Sequence, residues 1–307
     1  MQGIHVIDTG FVRPRFDAAY LIVGQAHAAF IDCGTGHSVP RLLAALAEAD
    51  LQPRQVDWLI LTHVHLDHAG GAGALLAELP RARLLVHPRG ARHMIDPTRL
   101  WASASAVYGE AVMLQSYGRL RPVPAERVVI AEDGHVVDVG GRPLTCIHTP
   151  GHARHHMALH DPRAALCFTG DTFGLSYREF DTARGVFILP TTSPVEFDPQ
   201  ALHASIDRLL ALAPRTMYLT HFGPVAPPGR LAADLHTQID AMVALAQAAD
   251  AGVDRHETLV TGLTELYASR AAEHGWRGTR AQLVALLGMD IELNAQGLGV
   301  WLDRQRQ

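Results

Sequence analysis

From residue 61 to residue 73 the chain reads Leu-Thr-His-Val-His-Leu-Asp-His-Ala-Gly-Gly-Ala-Gly, directly after the apolar stretch 56–61. In extended chain, residues two apart share a face, so His63 and His65 point at one centre. A helix starting near Asp67 would project that carboxylate and the His68 imidazole from its first turn toward a neighbouring centre. The glycines just beyond let such a helix approach whatever lies beneath it. Imidazole and carboxylate without thiolate suit zinc, iron or manganese better than copper(I) or an iron–sulfur cluster. The plain alternative is a His-rich strand end facing solvent.

This stretch resembles the signature of the metallo-β-lactamase superfamily, and three later motifs agree with it in order. They are Thr149-Pro150-Gly151-His152, Phe168-Thr169-Gly170-Asp171-Thr172 and Tyr218-Leu219-Thr220-His221-Phe222-Gly223, each at the end of an apolar run. The resemblance implies an α/β fold, a four-layer αβ/βα sandwich with metals at its edge. It implies that His63, His65 and His152 hold one metal, that Asp67, His68 and His221 hold a second, and that Asp171 bridges them. Two divalent cations, zinc first and iron or manganese as alternatives, would sit ~3.5–4 Å apart and share a hydroxide that attacks an electrophilic carbonyl or phosphorus. Asp67 and Asp171 are then the catalytic carboxylates, with Asp67 also placed for proton transfer to the leaving group. Asp32 resembles the family position that supports a ligand from outside, where a carboxylate fixes a histidine tautomer; a plain turn or cap role is equally open.

The loop 171–190 is expected to roof the metals, and Tyr177, Arg178 and Arg184 are its candidate substrate contacts. Lactone-cleaving relatives place a Tyr after the bridging Asp, but the local pattern Thr172-Phe173-Gly174-Leu175-Ser176-Tyr177 departs from theirs. His155 and His156 follow His152 closely, yet the implied ligand set is already complete without them. His87 and His93 belong to no ligand motif.

Along the chain, short strands are expected at 5–9, 19–23, 28–32, 83–87, 127–131, 136–139, 144–148, 157–161, 164–168 and 216–219, with Gly140-Gly141 as a hairpin turn. Helices are expected at 39–49, where Leu42, Leu43, Leu46 and Ala49 recur at helical spacing, and at 66–79 and 199–212. The segment 88–125 interrupts the sandwich pattern with helices at 90–95 and 100–117. Trp101, Tyr108, Met113 and Tyr117 there either face substrate or a partner, or pack on the core. The expected division is a core over 1–225 and a helical extension over 226–307, with helices at 231–249, 257–272, 280–287 and 290–303.

The chain has 307 residues and 48% hydrophobic content, enough for a sizeable buried interior. A net charge of −5 gives no electrostatic footprint for nucleic acid. All 26 basic residues are arginines, which removes Schiff-base chemistry and leaves bidentate Arg contacts for carboxylates or phosphates. Cys33, Cys146 and Cys167 form no metal-spaced cluster and read as buried thiols, as expected in a reducing cytoplasm. The N-terminus lacks a basic region followed by an apolar stretch, and no apolar run of ~20 residues suggests a membrane span. A cytoplasmic protein acting on a small molecule, away from membranes, is the resulting expectation.

Together with the C-terminal helices, the core resembles the hydroxyacylglutathione hydrolase (glyoxalase II) branch, where such helices help bind the glutathione portion. The missing lysines depart from that pattern. The same helices are equally suited to a homodimer contact. The leading expectation is a binuclear hydrolase of a small acyl thioester, ester or lactone, of the glyoxalase II or lactonase type. The alternatives are an iron-dependent persulfide dioxygenase of the same fold, a phosphodiester or organophosphate hydrolase, and a non-catalytic metabolite sensor. Asp at 171 without a cysteine ligand makes antibiotic hydrolysis a poor candidate.

Overall fold

The computed structural model describes residues 3–249 and 254–306. These group into two compact units, one of residues 1–148, 155–170 and 220–223 and the other of 149–154, 171–219 and 224–307. The division is not the single cut at 225 expected from composition: the segments 149–154 and 171–219 group with the C-terminal helices.

The first unit contains a six-stranded sheet whose spatial order is its sequence order. Its strands are β1 (Ile4–Asp8), β2 (Ala18–Val23), β3 (Ala28–Ile31), β4 (Val56–Ile60), β5 (Arg83–Val86) and β6 (Val128–Ile130). β1, β2 and β3 form an antiparallel meander, and β3 to β6 run parallel. Parallel neighbours need crossovers, and helices supply them. α1 (Val39–Glu48) joins β3 to β4, and α2 (Leu66–Ala69) with α3 (Ala72–Glu78) joins β4 to β5. α4 (Pro88–Ile95), α5 (Thr98–Tyr108) and α6 (Glu110–Tyr117) lie between β5 and β6. Every residue of β3 is buried, as expected of a strand covered on both faces. Leu42 and Leu46 of α1 pack with Leu59, Leu75, Leu76 and Leu84 in one core.

The same unit carries an antiparallel meander of β7 (Val136–Asp138), β8 (Pro143–His148), β9 (Met157–Asp161) and β10 (Leu166–Gly170). Gly140 (φ +56) and Gly141 (φ +86) turn the β7–β8 hairpin in the left-handed region that favours glycine. β10 runs two residues past the expected end of its strand, through Gly170, whose φ is +49. A Cβ at Gly170 would stand 2.5 Å from the buried His156 Nε2.

The expected helix 66–79 is broken after Ala69. Gly71 donates its N–H to the Gly34 carbonyl at 2.9 Å, and a Cβ there would lie 2.6 Å from the Thr35 oxygen. The break therefore seats the chain against the loop that follows β3. The 88–125 insertion holds three helices where two were expected. Met113 is fully buried in it, Trp101 and Tyr117 are half-buried, and the Tyr117 ring lies 5.3 Å from Phe11. Met113 and Tyr117 are thus packed against the protein itself; the side chain of Tyr108 lies outside the described ones.

The second unit contains α7 (Pro199–Leu210), β11 (Thr216–Leu219), α8 (Pro228–Ala249), α9 (Arg255–Glu273) and α10 (Arg280–Gln305); β12 (Gly223–Val225) begins at its border. α10 is one continuous helix where two were expected. At Gly297 the helix passes close to the 190s loop: a Cβ there would meet Thr192 Oγ1 at 2.2 Å. By length and composition alone α10 would suffice to cross a bilayer, against the expectation of no such stretch. Here its buried residues pack against α8 and α9.

Candidate metal centre

In the first unit, β4 ends at Ile60, the chain bends at Thr62, and His65 (φ −66, ψ +153) caps α2. His63 Nε2 and His65 Nδ1 come within 2.8 Å of one another. Asp67 and His68 occupy the short helix that follows, and His221 comes three residues after Tyr218 in the stretch that leaves β11. One donor atom each from Asp67, His68 and His221 lie within 4.8 Å of one another. Asp67 Oδ2 is 3.6 Å from His68 Nε2 and 3.5 Å from His221 Nε2.

The outer nitrogens set the tautomers. His221 Nδ1 is 2.8 Å from the Phe16 carbonyl, and a carbonyl only accepts, so Nδ1 carries the hydrogen and donates. His68 Nδ1 likewise faces Asp32 Oδ2 at 3.0 Å. Asp32 is buried and accepts from the Thr62 N–H and hydroxyl, both at 2.8 Å, and from the Thr220 hydroxyl at 3.2 Å. With Nδ1–H fixed on both rings, their Nε2 lone pairs point toward the Asp67 carboxylate. Acceptors gathered this closely are matched by a cation among them, and imidazole with carboxylate is the donor set of zinc, iron and manganese sites.

The second unit repeats the arrangement. His152 Nδ1 is 3.3 Å from the Thr191 carbonyl, and its Nε2 is 3.4 Å from Asp171 Oδ2. The turn bearing His152 is held where Ser205 donates to the Pro150 carbonyl at 2.6 Å, and Thr172 beside Asp171 donates to the Thr149 carbonyl at 3.0 Å. Gly151 permits the approach: a Cβ there would lie 2.5 Å from the Leu202 backbone.

Tyr177 and Arg178, expected as substrate contacts, are engaged otherwise. The buried Tyr177 hydroxyl donates to Asp290 Oδ1 at 3.0 Å. Arg178 folds back on its own loop, donating to the Ser176 carbonyl and standing 3.6 Å from Asp181. Arg184 donates to the Glu273 carbonyl. All three contacts tie the 171–190 loop to itself or to the C-terminal helices. His87 caps α4 by accepting from the Arg89 N–H at 3.1 Å, and His93 accepts from Arg92. His155 accepts from the Val64 N–H at 3.4 Å, while buried His156 lies with its ring 4.9 Å from His63.

Cys33, Cys146 and Cys167 are free and buried. Cys33 Sγ lies 3.2 Å from the His68 carbonyl, and burial pushes its thiol well up. Burial pushes Cys146 and Cys167 up to about 12. One residue near the centre had no sequence signal. Asp17, at the entry to β2, is fully buried and accepts from the Thr9 hydroxyl at 2.7 Å. Burial raises it to about 7, opposed by the charges of His221 and His68.

The combination defines an α/β protein with histidine–aspartate clusters able to hold metal. A family model described as the metallo-beta-lactamase superfamily matches residues 12–221, and the chain belongs to that superfamily. Over 232 residues it is 32% identical to the metallo-beta-lactamase fold-containing protein ST1585 of Sulfurisphaera tokodaii, spanning 74% of this chain and 80% of that one. The crystal structure of ST1585 matches with a TM-score of 0.69 at 26% identity, covering 97% of this chain and 98% of that one. The fold is thus the αβ/βα metallo-β-lactamase sandwich, with inserted and C-terminal helices. The chain is also 32% identical over 211 residues to hydroxyacylglutathione hydrolase of Aeromonas hydrophila, across 68% of this chain and 63% of that protein. Human acyl-coenzyme A thioesterase MBLAC2 is 32% identical over 168 residues, 50% of this chain and 56% of its own length. The match therefore spans less than two thirds of either of these two relatives.

Proposed function

We propose that this protein is a binuclear metal-dependent hydrolase of a small acyl thioester, ester or lactone. In this reading His63, His65 and His152 would hold one divalent cation, zinc in the first instance, and Asp67, His68 and His221 would hold the other, with Asp171 as a shared ligand. The observation that carries it is the set Asp67, His68 and His221, whose outer nitrogens are committed to Asp32 and to the Phe16 carbonyl. The order of all seven residues within the family match supports it. Hydroxyacylglutathione hydrolase and acyl-coenzyme A thioesterase among the relatives favour thioesters within the substrate class.

When bound, such cations lower the pKa of water toward ~7 and polarise a carbonyl. The protein's own groups do the rest. Asp32 keeps His68 in the tautomer that offers Nε2, and the Phe16 carbonyl does the same for His221. Asp67, besides its place in the ligand set, is assigned the proton transfer to the departing sulfur or oxygen. The free, buried cysteines suit a reducing compartment.

Metal analysis of the purified protein, followed by a panel of thioesters, lactones, phosphodiesters and persulfides, tests the reading. The expected result is at least two divalent ions per chain, thioester or lactone turnover, and loss of both metal and activity in Asp171→Ala. A single iron per chain with oxygen uptake on a persulfide would replace it with the dioxygenase reading.

A further inference from the structure

Away from the candidate centre, α7 and α8 each carry the pattern His-x-x-x-Asp: His203 with Asp207, and His236 with Asp240. The helices pack together, and the pairing is reciprocal. His203 Nε2 lies 3.1 Å from Asp240 Oδ1, and His236 Nε2 lies 3.0 Å from Asp207 Oδ1. Between them the two Nδ1 atoms stand 2.5 Å apart, with ring centroids 4.8 Å apart and planes inclined by 16°.

Hydrogen bookkeeping makes this arrangement informative. An ionised carboxylate only accepts, so each Nε2 carries a hydrogen and donates it outward. Each neutral ring then has a bare lone pair on Nδ1, and the two lone pairs face each other. Turning either ring over would replace both nitrogens by carbons and lose both contacts, so the orientation is fixed at both ends. Two facing lone pairs repel unless something positive lies between them. A carboxylate behind each imidazole, orienting the ring, is the outer arrangement found around metal-bound histidines.

We propose that His203 and His236 form a second metal site, a two-histidine clamp across α7 and α8 for a divalent transition ion of the zinc, nickel or copper kind. Asp207 and Asp240 hold the rings and offset the charge of the ion; solvent completes its coordination. The imidazoles are each 27% exposed and the carboxylates more than half exposed, so an ion reaches the site without unfolding. A tetrahedral ion with ligand distances of ~2.0–2.1 Å needs the nitrogens about 3.3 Å apart, so the rings part by about 0.8 Å from their present 2.5 Å when an ion enters. The proposal is independent of the hydrolase reading, because none of these four residues belongs to the candidate centre.

The test is equilibrium dialysis of the metal-loaded protein against micromolar free Zn2+, with zinc counted per chain. Wild type is expected to carry one zinc more than His203→Ala/His236→Ala, whatever the absolute count, with turnover unchanged. Asp207→Asn/Asp240→Asn keeps both imidazoles, guards against misfolding of the first variant, and is expected to weaken the extra site at least tenfold. With Cu2+ in place of zinc, the electron paramagnetic resonance spectrum of wild type is expected to show a site with two equivalent nitrogens that the double His variant lacks. Equal zinc counts in wild type and the folded double His variant overturn the proposal and leave a shared proton as the occupant of the gap. An unchanged affinity in the double Asn variant also overturns it as drawn.

Discussion

Asp32 shows how much one carboxylate can organise. Its φ is +55, a left-handed conformation that Asp tolerates better than most residues. From there it accepts hydrogen bonds from Thr62, Thr220 and His68. Asp32→Ala leaves these donors buried without their acceptor and His68 without its tautomer lock, and is expected to weaken metal binding 10–100-fold. Chelator competition measures this, with Asp32→Asn falling between; wild-type affinity in the Ala variant would remove Asp32 from the supporting role. A second residue links stability to pH. Burial, then the charges of His148 and Arg89, hold His87 down to about 4 from 6.5, and its Nδ1 accepts a hydrogen bond that protonation would destroy. Because the folded value lies below the unfolded one, the unfolded chain binds more protons between them. Stability from this residue is complete above about pH 6.5 and is lost as the pH falls toward about 4. At ~1.4 kcal/mol per pK unit the loss approaches about 3 kcal/mol. Urea denaturation at pH 7 and pH 4.5 should show a shallower decline in His87→Gln than in wild type; equal slopes would assign the acid sensitivity elsewhere.

At the scale of elements, the break between α2 and α3 sets where Asp67 and His68 stand. Gly71→Ala drives a Cβ toward the Thr35 oxygen and is expected to cost about 1–3 kcal/mol, as overpacking does, while lowering metal content because α2 moves. Gly229→Ala, where nothing lies within 4 Å, is the control and should change stability by no more than about 1 kcal/mol. Thermal denaturation with metal analysis separates them. If Gly71→Ala behaves like the control, the glycine is not what seats α2. The same break explains which elements were legible in the sequence. A strand such as β3 announces itself as an apolar run because it is buried, and α1 by its Leu spacing. The Gly70–Gly71 break and the close approach of α10 at Gly297 depend on Thr35 and Thr192, partners the local sequence does not name. The candidate ligands were legible because they sit in motifs at strand ends. Asp17 was not, since a lone Asp entering a strand has no spacing to mark it. Tyr177 was misleading for a related reason: its partner Asp290 is 113 residues away, so proximity in sequence to Asp171 outweighed the contact that holds it.

For the whole chain, the consequence lies in how its segments are shared out. Residues 149–154 and 171–219 group with the C-terminal helices, and the contacts within that unit show why. Trp276 donates to the Glu179 carbonyl at 3.0 Å, and its ring lies 4.8 Å from Phe180. Asn294 accepts from the Thr192 N–H at 2.7 Å, and Gln238 donates to the Ile188 carbonyl at 2.9 Å. Phe180, Phe187, Ile188 and Leu189 are all buried. A chain ending at residue 225, where composition alone suggests a boundary, therefore keeps the 171–190 loop and loses the helices that bury it. The expected product aggregates or is molten, with bound dye fluorescence raised and the near-ultraviolet circular dichroism of its aromatic residues lost. Its metal content should fall with the order of the segments bearing His152 and Asp171, even though the His63 to His68 motif is intact. A soluble, cooperatively unfolding 1–225 chain with wild-type metal content would show instead that the loop orders itself, and that α8, α9 and α10 serve some purpose other than holding it.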